Sequence, residues 1–372
     1  MANGIVSVGI VGGGRVGLGF AKFIQSLKDE ARLTGVVTST PARQKELSAQ
    51  LKVPCYGTTE ELMNSGDKPD VVAVVNANED HYEATLAALQ LGAHVFCEKP
   101  MAPTLEECRK MVAAEKASGK TLQIGFEYMH GTMTSRLRQL INEDYFGELL
   151  SGSVLDSRGH WASDAPSKPI SENWKLDRQR GGGIVFHCGI HQLDMIRCYF
   201  GKIESVTAFR APKNALSFYP YEIPDNVTLM IKAASGAVIN FQIFHNRAPC
   251  YYRETNPWQP DWRTIPGHEF DFSIVGTKAS CHMQIYKEKL SLFKYNIPQR
   301  DTTLDRVEDF GFHPANASHH DMSGFLLQYL RSVAAGTGAI DAAADALETM
   351  KIAFAAEDSI ATGRTHMVRE YD

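Results

Sequence analysis

The chain opens with an apolar run, a glycine-rich turn and a second apolar segment. Ile5–Val11 is almost entirely apolar, Gly12, Gly14 and Gly17 follow, and Leu18–Ile24 has the spacing of a helix. An apolar run of this length is typical of a buried parallel strand. With this spacing, Gly12 permits a tight turn, Gly14 lets the backbone approach an anion, and Gly17 lets the helix pack against the strand. The pattern predicts a strand, a turn and a helix in direct succession.

Apolar runs and helical segments continue to alternate up to about residue 127. His81–Leu91 and Thr104–Ser118 predict helices, and Thr104 and Glu107 form a capping box that opens the second one. The strands predicted between the helices are Leu33–Thr38, Val53–Tyr56, Asp70–Val75, Gly92–Cys97 and Thr121–Gly125. Strands and helices that alternate in this way build a parallel sheet with right-handed crossovers. Residues 1–127 are therefore predicted to form a doubly wound α/β domain of the Rossmann type.

Beyond Glu148 the pattern changes to an alternation of apolar and polar residues. The alternating segments are Val206–Phe209, Val227–Ile231, Ala237–Ile243 and Phe270–Val275. A period of two is typical of antiparallel strands with one buried face and one face toward solvent or substrate. A helix is predicted from about Ala342 to Ala361, ended by Gly363. Residues 128–372 are therefore predicted to form an α+β domain with a large, mostly antiparallel open sheet.

The composition limits the class of protein. With 372 residues, 44% of them hydrophobic and 22% charged, the chain suits two globular domains rather than a fibrous or disordered protein. A formal charge of -5 at pH 7 gives no basic face for nucleic acid. No segment reaches the length of a membrane span, and the first apolar run belongs to a strand rather than a leader peptide. The cysteines stand singly, which favours reduced thiols and a cytoplasmic location.

The opening pattern suggests a dinucleotide site, because a helix N-terminus favours a pyrophosphate. A glycine-rich hairpin is the alternative. The second predicted strand ends at Thr38-Ser39-Thr40-Pro41-Ala42-Arg43, without the carboxylate that binds a ribose 2′-hydroxyl. The hydroxyls of Ser39 and Thr40 and the guanidinium of Arg43 suit a 2′-phosphate instead. The expected cofactor is NADP(H) in preference to NAD(H), with NAD(H) as the alternative.

Two further motifs carry candidate chemistry. Glu98-Lys99-Pro100 follows a predicted strand, at the edge where open α/β sheets bind ligands, so Lys99 is either a group that polarises a substrate oxygen or a surface cation. Gly181–Gly183 leads into a predicted helix on which His187 and His191 fall four residues apart, on one face. The spacing leaves three interpretations of these histidines open: an acid/base pair, metal ligands or structural residues.

Together, the N-terminal glycine turn, the Glu98-Lys99-Pro100 signature and the Gly-Gly-Gly helix with His191 resemble the Gfo/Idh/MocA family over essentially the whole chain. The resemblance implies a pyridine-nucleotide-dependent oxidoreductase of sugars or cyclitols, whose C-terminal sheet supports a homo-oligomer, either a dimer or a tetramer. Lys99 and His191 match the catalytic lysine and histidine of the family. His187 stands where the family has an aspartate, so the group that would orient a substrate hydroxyl differs here.

The resemblance also implies two sets of binding residues, for which ordinary loop packing is the alternative at the less specific positions. The cofactor set comprises Gly12, Gly14, Arg15, Val16, Gly17, Ser39, Thr40, Arg43, Asn76, Asn78, His81, Glu98 and Lys99. The substrate set comprises Glu127, Tyr128, Arg158, His160, Trp161, Trp174, His187 and His191. The aromatic stretch His245–His268 is predicted to be either a substrate lid or an oligomer arm.

The expected reaction is hydride transfer between a nicotinamide and a secondary alcohol or ketone of a sugar, glycoside or cyclitol. His191 would exchange the hydroxyl proton, Lys99 would polarise the oxygen and share that proton, and His187 would orient the substrate or relay charge. No metal is expected, because Lys99 already supplies positive charge, and neither nucleic acid nor membrane is an expected partner. Two other classes stay open: an NAD-dependent glycosidase that oxidises its sugar transiently, and a non-catalytic nucleotide sensor.

Overall fold

The computed structural model describes residues 4–157, 177–213, 223–245, 269–311 and 320–372. The chain divides into two compact units, and each is described by itself. The first unit comprises Met1–Phe126 together with Met322–Met350, and the second comprises Glu127–Asp321 together with Lys351–Asp372.

Helices and strands are numbered in chain order. The strands are β1 (Val6–Val11), β2 (Ala31–Val37), β3 (Cys55–Tyr56), β4 (Val71–Val74), β5 (His94–Cys97), β6 (Leu122–Ile124), β7 (Leu149–Ser157), β8 (Ile203–Arg210), β9 (Asn226–Ala233), β10 (Val238–Phe244), β11 (Glu269–Gly276), β12 (Ala279–Gln284), β13 (Lys289–Asn296), β14 (Asp301–Asp309) and β15 (His366–Met367). The helices are α1 (Arg15–Ser26), α2 (Pro41–Leu51), α3 (Thr59–Met63), α4 (His81–Gln90), α5 (Leu105–Ser118), α6 (Thr132–Asn142), α7 (Ile190–Phe200), α8 (Met322–Ala335) and α9 (Ala343–Thr362). Over the described ranges, no helix is both long enough and apolar enough to cross a bilayer.

The first unit is built on a parallel sheet with the strand order β3-β2-β1-β4-β5-β6. Every residue of β1 and β4 is buried, as expected for the central strands of a sheet covered on both faces. The capping box of Thr104 and Glu107 is present at the start of α5, and Gly119 ends that helix in the left-handed conformation. The prediction of a Rossmann-type, doubly wound α/β fold is confirmed.

The glycine turn between β1 and α1 depends on two close backbone contacts. Gly12 has a φ of 128°, and a Cβ there would lie 2.7 Å from the carbonyl carbon of Val75. A Cβ on Gly17 would lie 1.9 Å from the carbonyl oxygen of Gly12, closer than any side chain can approach. A Cβ on Gly14, by contrast, would meet no atom within 4 Å. The first two glycines are therefore required for packing, while Gly14 leaves its surroundings open.

The division of the chain differs from the predicted boundary in one segment, because residues 322–350 pack with the first unit rather than with the rest of 128–372. Helix α8 is the physical reason. Its Phe325 and Tyr329 are buried in the same apolar core as Phe96, and the rings of Phe96 and Phe325 meet edge to face with centroids 5.8 Å apart. This core contains apolar residues from distant parts of the sequence. A domain boundary placed from the local sequence pattern does not take such long-range contacts into account.

The second unit is built on a nine-stranded sheet with the order β14-β13-β12-β11-β7-β10-β9-β8-β15. All neighbouring strands run antiparallel except β7 and β10, which are parallel. The predicted alternation is present: in β12, Ala279, Cys281 and Met283 are buried while the residues between them are partly exposed. The prediction of a large, mostly antiparallel sheet is confirmed.

The segment after Gly181–Gly183 differs from the regular helix predicted through His187 and His191. Ile184–Gly189 forms a π-helical turn, and α7 begins only at Ile190. Gly183 enters the turn with a φ of 112°, a value that favours glycine. A Cβ on Gly189 would lie 2.7 Å from Cδ1 of Ile243, so glycine also allows this wide turn to approach the sheet.

We expect Gly17→Ala to destabilise the first unit by about 3 kcal/mol or more, because the new methyl group would overlap the carbonyl oxygen of Gly12. Gly19→Ala is the matched control, since Gly19 lies in the same helix and a Cβ there meets nothing within 4 Å. That variant should gain up to about 1 kcal/mol from the higher helix propensity of alanine. Urea unfolding of the two variants measures both effects, and equal stabilities would contradict the role assigned to Gly17.

Candidate functional site

The N-terminus of α1 has no side-chain cap and is open beside Gly14. Gly14 is the N-cap residue, no side chain caps the helix, and the first turn contains no acidic residue. The first N–H groups of a helix have no partner within the helix, and they carry the positive end of its dipole. Because Gly14 leaves the space beside it open, a pyrophosphate can reach these N–H groups. The backbone at Gly12, Gly14 and Gly17 therefore fits the phosphates of a dinucleotide.

A cavity of about 550 Å³ lies in the first unit, beside the ends of β1, β2 and β4. Ser39 and Asn76, both predicted cofactor residues, line it. Arg43 approaches the glycine turn instead: its Nε donates to the carbonyl of Gly13 at 3.0 Å, and one of its terminal nitrogens lies 2.7 Å from a carboxylate oxygen of Glu46. The cavity and the turn together offer hydroxyl, amide and N–H groups to a nucleotide.

His81, one of the residues predicted to bind the cofactor, is deeply buried, with 1% of its surface exposed. Its Nδ1 lies 2.8 Å from the carbonyl oxygen of Pro100. Burial lowers the pKa of His81 to about 4, against the opposing effect of the backbone carbonyls of Pro100 and Asn76, and the charge of Lys99 lowers it further. A neutral imidazole therefore fixes the segment after β5 that carries Lys99.

The Glu98-Lys99-Pro100 segment is packed tightly at the end of β5. The Lys99–Pro100 peptide bond is cis. Glu98 is 9% exposed, and its carboxylate accepts a hydrogen bond from the backbone N–H of Lys99 at 3.3 Å. A Cβ on Gly125, at the end of β6, would lie 3.3 Å from the same carboxyl group. The sheet edge thus holds the backbone of Lys99 in place on the side where parallel sheets bind ligands.

In the second unit, His191 belongs to a compact cluster of polar and aromatic side chains. The ring of Tyr128 stacks on the imidazole with centroids 3.9 Å apart and an interplanar angle of 4°. The carboxylate of Glu127 lies 3.8 Å from Nε2 of His191, and the same carboxylate oxygen accepts a hydrogen bond from Nδ1 of His320. Glu127 and His191 are 2% and 3% exposed. The cluster contains a buried imidazole with a carboxylate at its edge, which is an arrangement suited to proton transfer.

His187 lies on the π-helical turn, which is packed against a partly exposed ion pair. The guanidinium of Arg178 lies 3.9 Å from the ring centroid of Phe186, which belongs to this turn. The same guanidinium lies 3.6 Å from the carboxylate of Glu357. Burial raises the pKa of Glu357 to about 7, while Arg178 and the backbone N–H of Phe186 act in the opposite direction. His187 itself is 7% exposed. The pair holds the turn that carries His187 against α9.

The structure therefore brings Glu127, Tyr128 and His191 together, and it adds His320, which sequence reasoning missed. His320 lies outside every motif, and it is 193 residues from Glu127 along the chain, so only the fold reveals the contact. The remaining predicted substrate residues, Arg158, His160, Trp161 and Trp174, lie outside the described residues, as does 246–268 of the predicted lid or arm. Among the described residues, no group of three or more histidine, cysteine and acidic side chains could hold a metal ion.

Comparison with known proteins agrees with this two-unit architecture. Residues 6–126 match the Gfo/Idh/MocA domain described as "Oxidoreductase family, NAD-binding Rossmann fold", and residues 134–282 match the "GFO/IDH/MocA C-terminal domain". The chain thus has an NAD-binding Rossmann domain followed by a companion domain of the same kind of protein. It belongs to the Gfo/Idh/MocA family of oxidoreductases.

Curated relatives match the chain over part of its length. It is 30% identical over 210 residues to D-glucoside 3-dehydrogenase of Escherichia coli (strain K12), which is 56% of this chain and 58% of that protein. It is 32% identical over 206 residues to 2,7-anhydro-N-acetylneuraminate hydratase of the same organism, covering 55% and 52%. The chain thus spans little more than half the length of these two relatives. It is 26% identical over 290 residues to 1,5-anhydro-D-fructose reductase of Ensifer adhaerens, covering 77% and 81%.

Solved structures share the fold over nearly the whole chain. Levoglucosan dehydrogenase in complex with NADH and levoglucosan has a TM-score of 0.78 at 20% identity, over 98% of this chain and 99% of that one. A putative myo-inositol dehydrogenase from Sinorhizobium meliloti 1021 has a TM-score of 0.73 at 20% identity, over 98% and 99%. At this level of identity, the likeness shows the shared fold.

We expect acid to destabilise the protein partly through His81. Its pKa is about 4 in the folded chain and 6.5 in the reference state, so the unfolded chain binds the additional proton between these pH values. Stability from this group is therefore complete above pH 6.5 and is lost as the pH falls toward 4, by about 3 kcal/mol at most. His81→Gln should flatten this part of the curve of unfolding free energy against pH. The exposed His282 gives the control His282→Gln, and an unchanged slope in His81→Gln would contradict the assignment.

Proposed function

We propose that this protein is an NAD(P)-dependent oxidoreductase that transfers hydride between a nicotinamide and a secondary alcohol or ketone of a sugar, glycoside or cyclitol. The observation that carries the proposal is the cluster around His191: a buried imidazole fixed by a stacked ring and an adjacent carboxylate. The open N-terminus of α1, the cavity beside β2 and the family's NAD-binding domain support the cofactor. The names of the relatives, among them dehydrogenases of glucosides and inositol, support the substrate class.

In the oxidation direction, the alcohol loses a hydride from carbon and a proton from oxygen. His191 takes the proton, Lys99 stabilises the negative charge that develops on oxygen, and His187 orients the hydroxyl. A bound nicotinamide would supply the hydride acceptor for this reaction. The glycine backbone at Gly12, Gly14 and Gly17 would hold the pyrophosphate of the dinucleotide.

Beyond the general cofactor class, we propose NADP(H) in preference to NAD(H). Ser39, in place of a carboxylate, follows β2 and lines the cavity, and the guanidinium of Arg43 lies beside the glycine turn. Hydroxyl and guanidinium groups favour a 2′-phosphate, whereas a carboxylate would repel it.

We also propose that the protein is a homo-oligomer, either a dimer or a tetramer, that associates through the nine-stranded sheet. In β8, β9, β10 and β11, Phe209, Met230, Val238 and Val275 are exposed apolar side chains next to buried ones. Leu150 in β7 and Leu304 and Val307 in β14 are exposed apolar side chains of the same sheet. Exposed apolar side chains on one sheet favour a face that a second copy of the chain covers.

The function is tested by a screen of sugars, glycosides and cyclitols with NADP⁺ and NAD⁺. We expect at least one substrate to give net reduction of the cofactor, followed by absorbance, together with a ketone product identified by mass spectrometry. Hydrolysis of a glycoside without accumulation of reduced cofactor would instead indicate the transient-oxidation glycosidase. Addition of water to the substrate without net redox change would indicate a reaction like that named for the hydratase relative.

Two variants test the catalytic roles that we assign to His191 and Lys99, with the substrate found in that screen. His191→Ala should lower kcat by about 10² to 10⁴ while nearly preserving cofactor affinity, because a positioned acid/base group contributes that much. Lys99→Ala should be at least as damaging. Wild-type turnover in His191→Ala would remove this residue from the mechanism, and nucleotide binding without any turnover would favour a sensor.

Cofactor preference is tested by steady-state kinetics with NADP⁺ and NAD⁺. We expect a higher kcat/KM for NADP⁺, and we expect Ser39→Asp to shift the ratio toward NAD⁺ because the carboxylate repels a 2′-phosphate and binds a 2′-hydroxyl. A clear preference for NAD⁺ that Ser39→Asp leaves unchanged would show that this position does not select the cofactor.

A further inference from the structure

Glu127 and Tyr128 lie on two sides of the imidazole of His191. Tyr128 covers one face of the ring, while Glu127 lies at its Nε2 edge. Both residues belong to one 3-10 turn, Glu127–His130. The hydroxyl of Thr134 donates to the carbonyl of Tyr128 at 2.6 Å, which ties this turn to the start of α6. Together these contacts fix both the plane of the imidazole and its direction within that plane.

The carboxylate of Glu127 is itself held by His320. A carboxylate can only accept a hydrogen bond, so Nδ1 of His320 carries the proton that Glu127 receives. The ring of His320 also packs edge to face against Tyr128, with centroids 5.3 Å apart, and against His191, with centroids 6.0 Å apart. The side chain of His320 is 20% exposed, whereas that of Glu127 is 2% exposed. His320 thus closes the cluster on its more exposed side.

We propose that Glu127 and His320 are positioning residues for His191: Glu127 stabilises the proton that His191 accepts, and His320 holds Glu127 at the required edge of the ring. The proposal rests on the proposed function, in which His191 is the base. A negative charge 3.8 Å from Nε2 favours the imidazolium form over the neutral one. That interaction strengthens as the proton arrives, so it acts on the transition state rather than on substrate binding.

The contacts favour this role over direct binding of substrate by Glu127. One carboxylate oxygen faces two imidazoles, and the residue is almost completely buried. A buried carboxylate requires nearby compensating groups, which His320 and His191 supply. A substrate ligand would raise KM when removed, whereas a positioning residue lowers kcat.

The first test is Glu127→Gln, which keeps the shape of the side chain and removes its charge. We expect kcat to fall about tenfold to a hundredfold with little change in KM. The acidic limb of the pH profile of kcat/KM should move to lower pH, because His191 loses the carboxylate that favours its protonated form. Glu204→Gln, which removes a partly exposed carboxylate paired with Lys232 on β9, is the control. A raised KM with unchanged kcat would instead make Glu127 a substrate ligand and overturn the proposal.

His320 is tested by a pair of variants. His320→Ala should lower kcat and move the acidic limb in the same direction as Glu127→Gln, because Glu127 loses the donor that holds it. His320→Asn should restore most of the activity, because its amide N–H can replace Nδ1 as a donor. His282→Asn, at an exposed histidine 3.3 Å from Asp271, is the control. Equal activity of the alanine and asparagine variants would show that the hydrogen bond has no role.

A measurement without substrate separates this proposal from the proposed function. The imidazole nitrogens of ¹⁵N-histidine-labelled protein can be followed by NMR as the pH is changed, with the signal of His191 assigned from its loss in His191→Asn. In Glu127→Gln, we expect the titration of His191 to move to lower pH, whether or not a substrate has been found. An unchanged titration would overturn the pairing of Glu127 with His191 even in an active enzyme.

Discussion

The near-contact between Gly17 and the carbonyl of Gly12 determines what the first unit offers to a ligand. Because no Cβ intervenes, α1 begins almost immediately after β1, and its N-terminal N–H groups open at the edge of the sheet where the parallel strands end. Ser39, Asn76 and Lys99 follow β2, β4 and β5 at that same edge. The carbonyl oxygen of Gly12 lies 1.9 Å from the position that a Cβ of residue 17 would occupy, so only glycine allows this approach. The approach sets the position of the N-terminus of α1, and of its dipole, relative to three functional side chains.

Buried titratable groups then fix the segments that carry the proposed chemistry. His81, buried and neutral, holds the carbonyl of Pro100 next to Lys99. Glu127 lies between His191 and His320, and Glu357 faces Arg178 beside the turn that carries His187. A buried polar atom without a partner is costly, so each of these groups restricts its neighbours more than a solvated side chain would. The site is held by polar contacts in the core as well as by apolar packing.

The sequence predicted those features that depend on local interactions. The central strands are continuous apolar runs, the glycine roles follow from spacing, and the cap of α5 follows from Thr104 and Glu107. The assignment of α8 to the first unit depends instead on the contact of Phe325 with Phe96, and the π-helical turn depends on the approach of Gly189 to Ile243. The contact of His320 with Glu127 is likewise long-range. A local sequence pattern does not predict these three contacts, because each joins residues that are far apart in the sequence and meet only in the folded chain.

The two units place opposite charges beside their functional groups. Burial lowers the pKa of His81 and keeps that histidine neutral, and the positive charge of Lys99 acts in the same direction. A protonated His81 would place a second cation in a buried position next to Lys99, so neutrality of His81 is compatible with the charge that Lys99 supplies. In the second unit, a carboxylate lies beside His191 and favours its protonated form. The same residue type, buried to a similar degree in both units, thus has a cation among its neighbours in one unit and a carboxylate at the edge of its ring in the other.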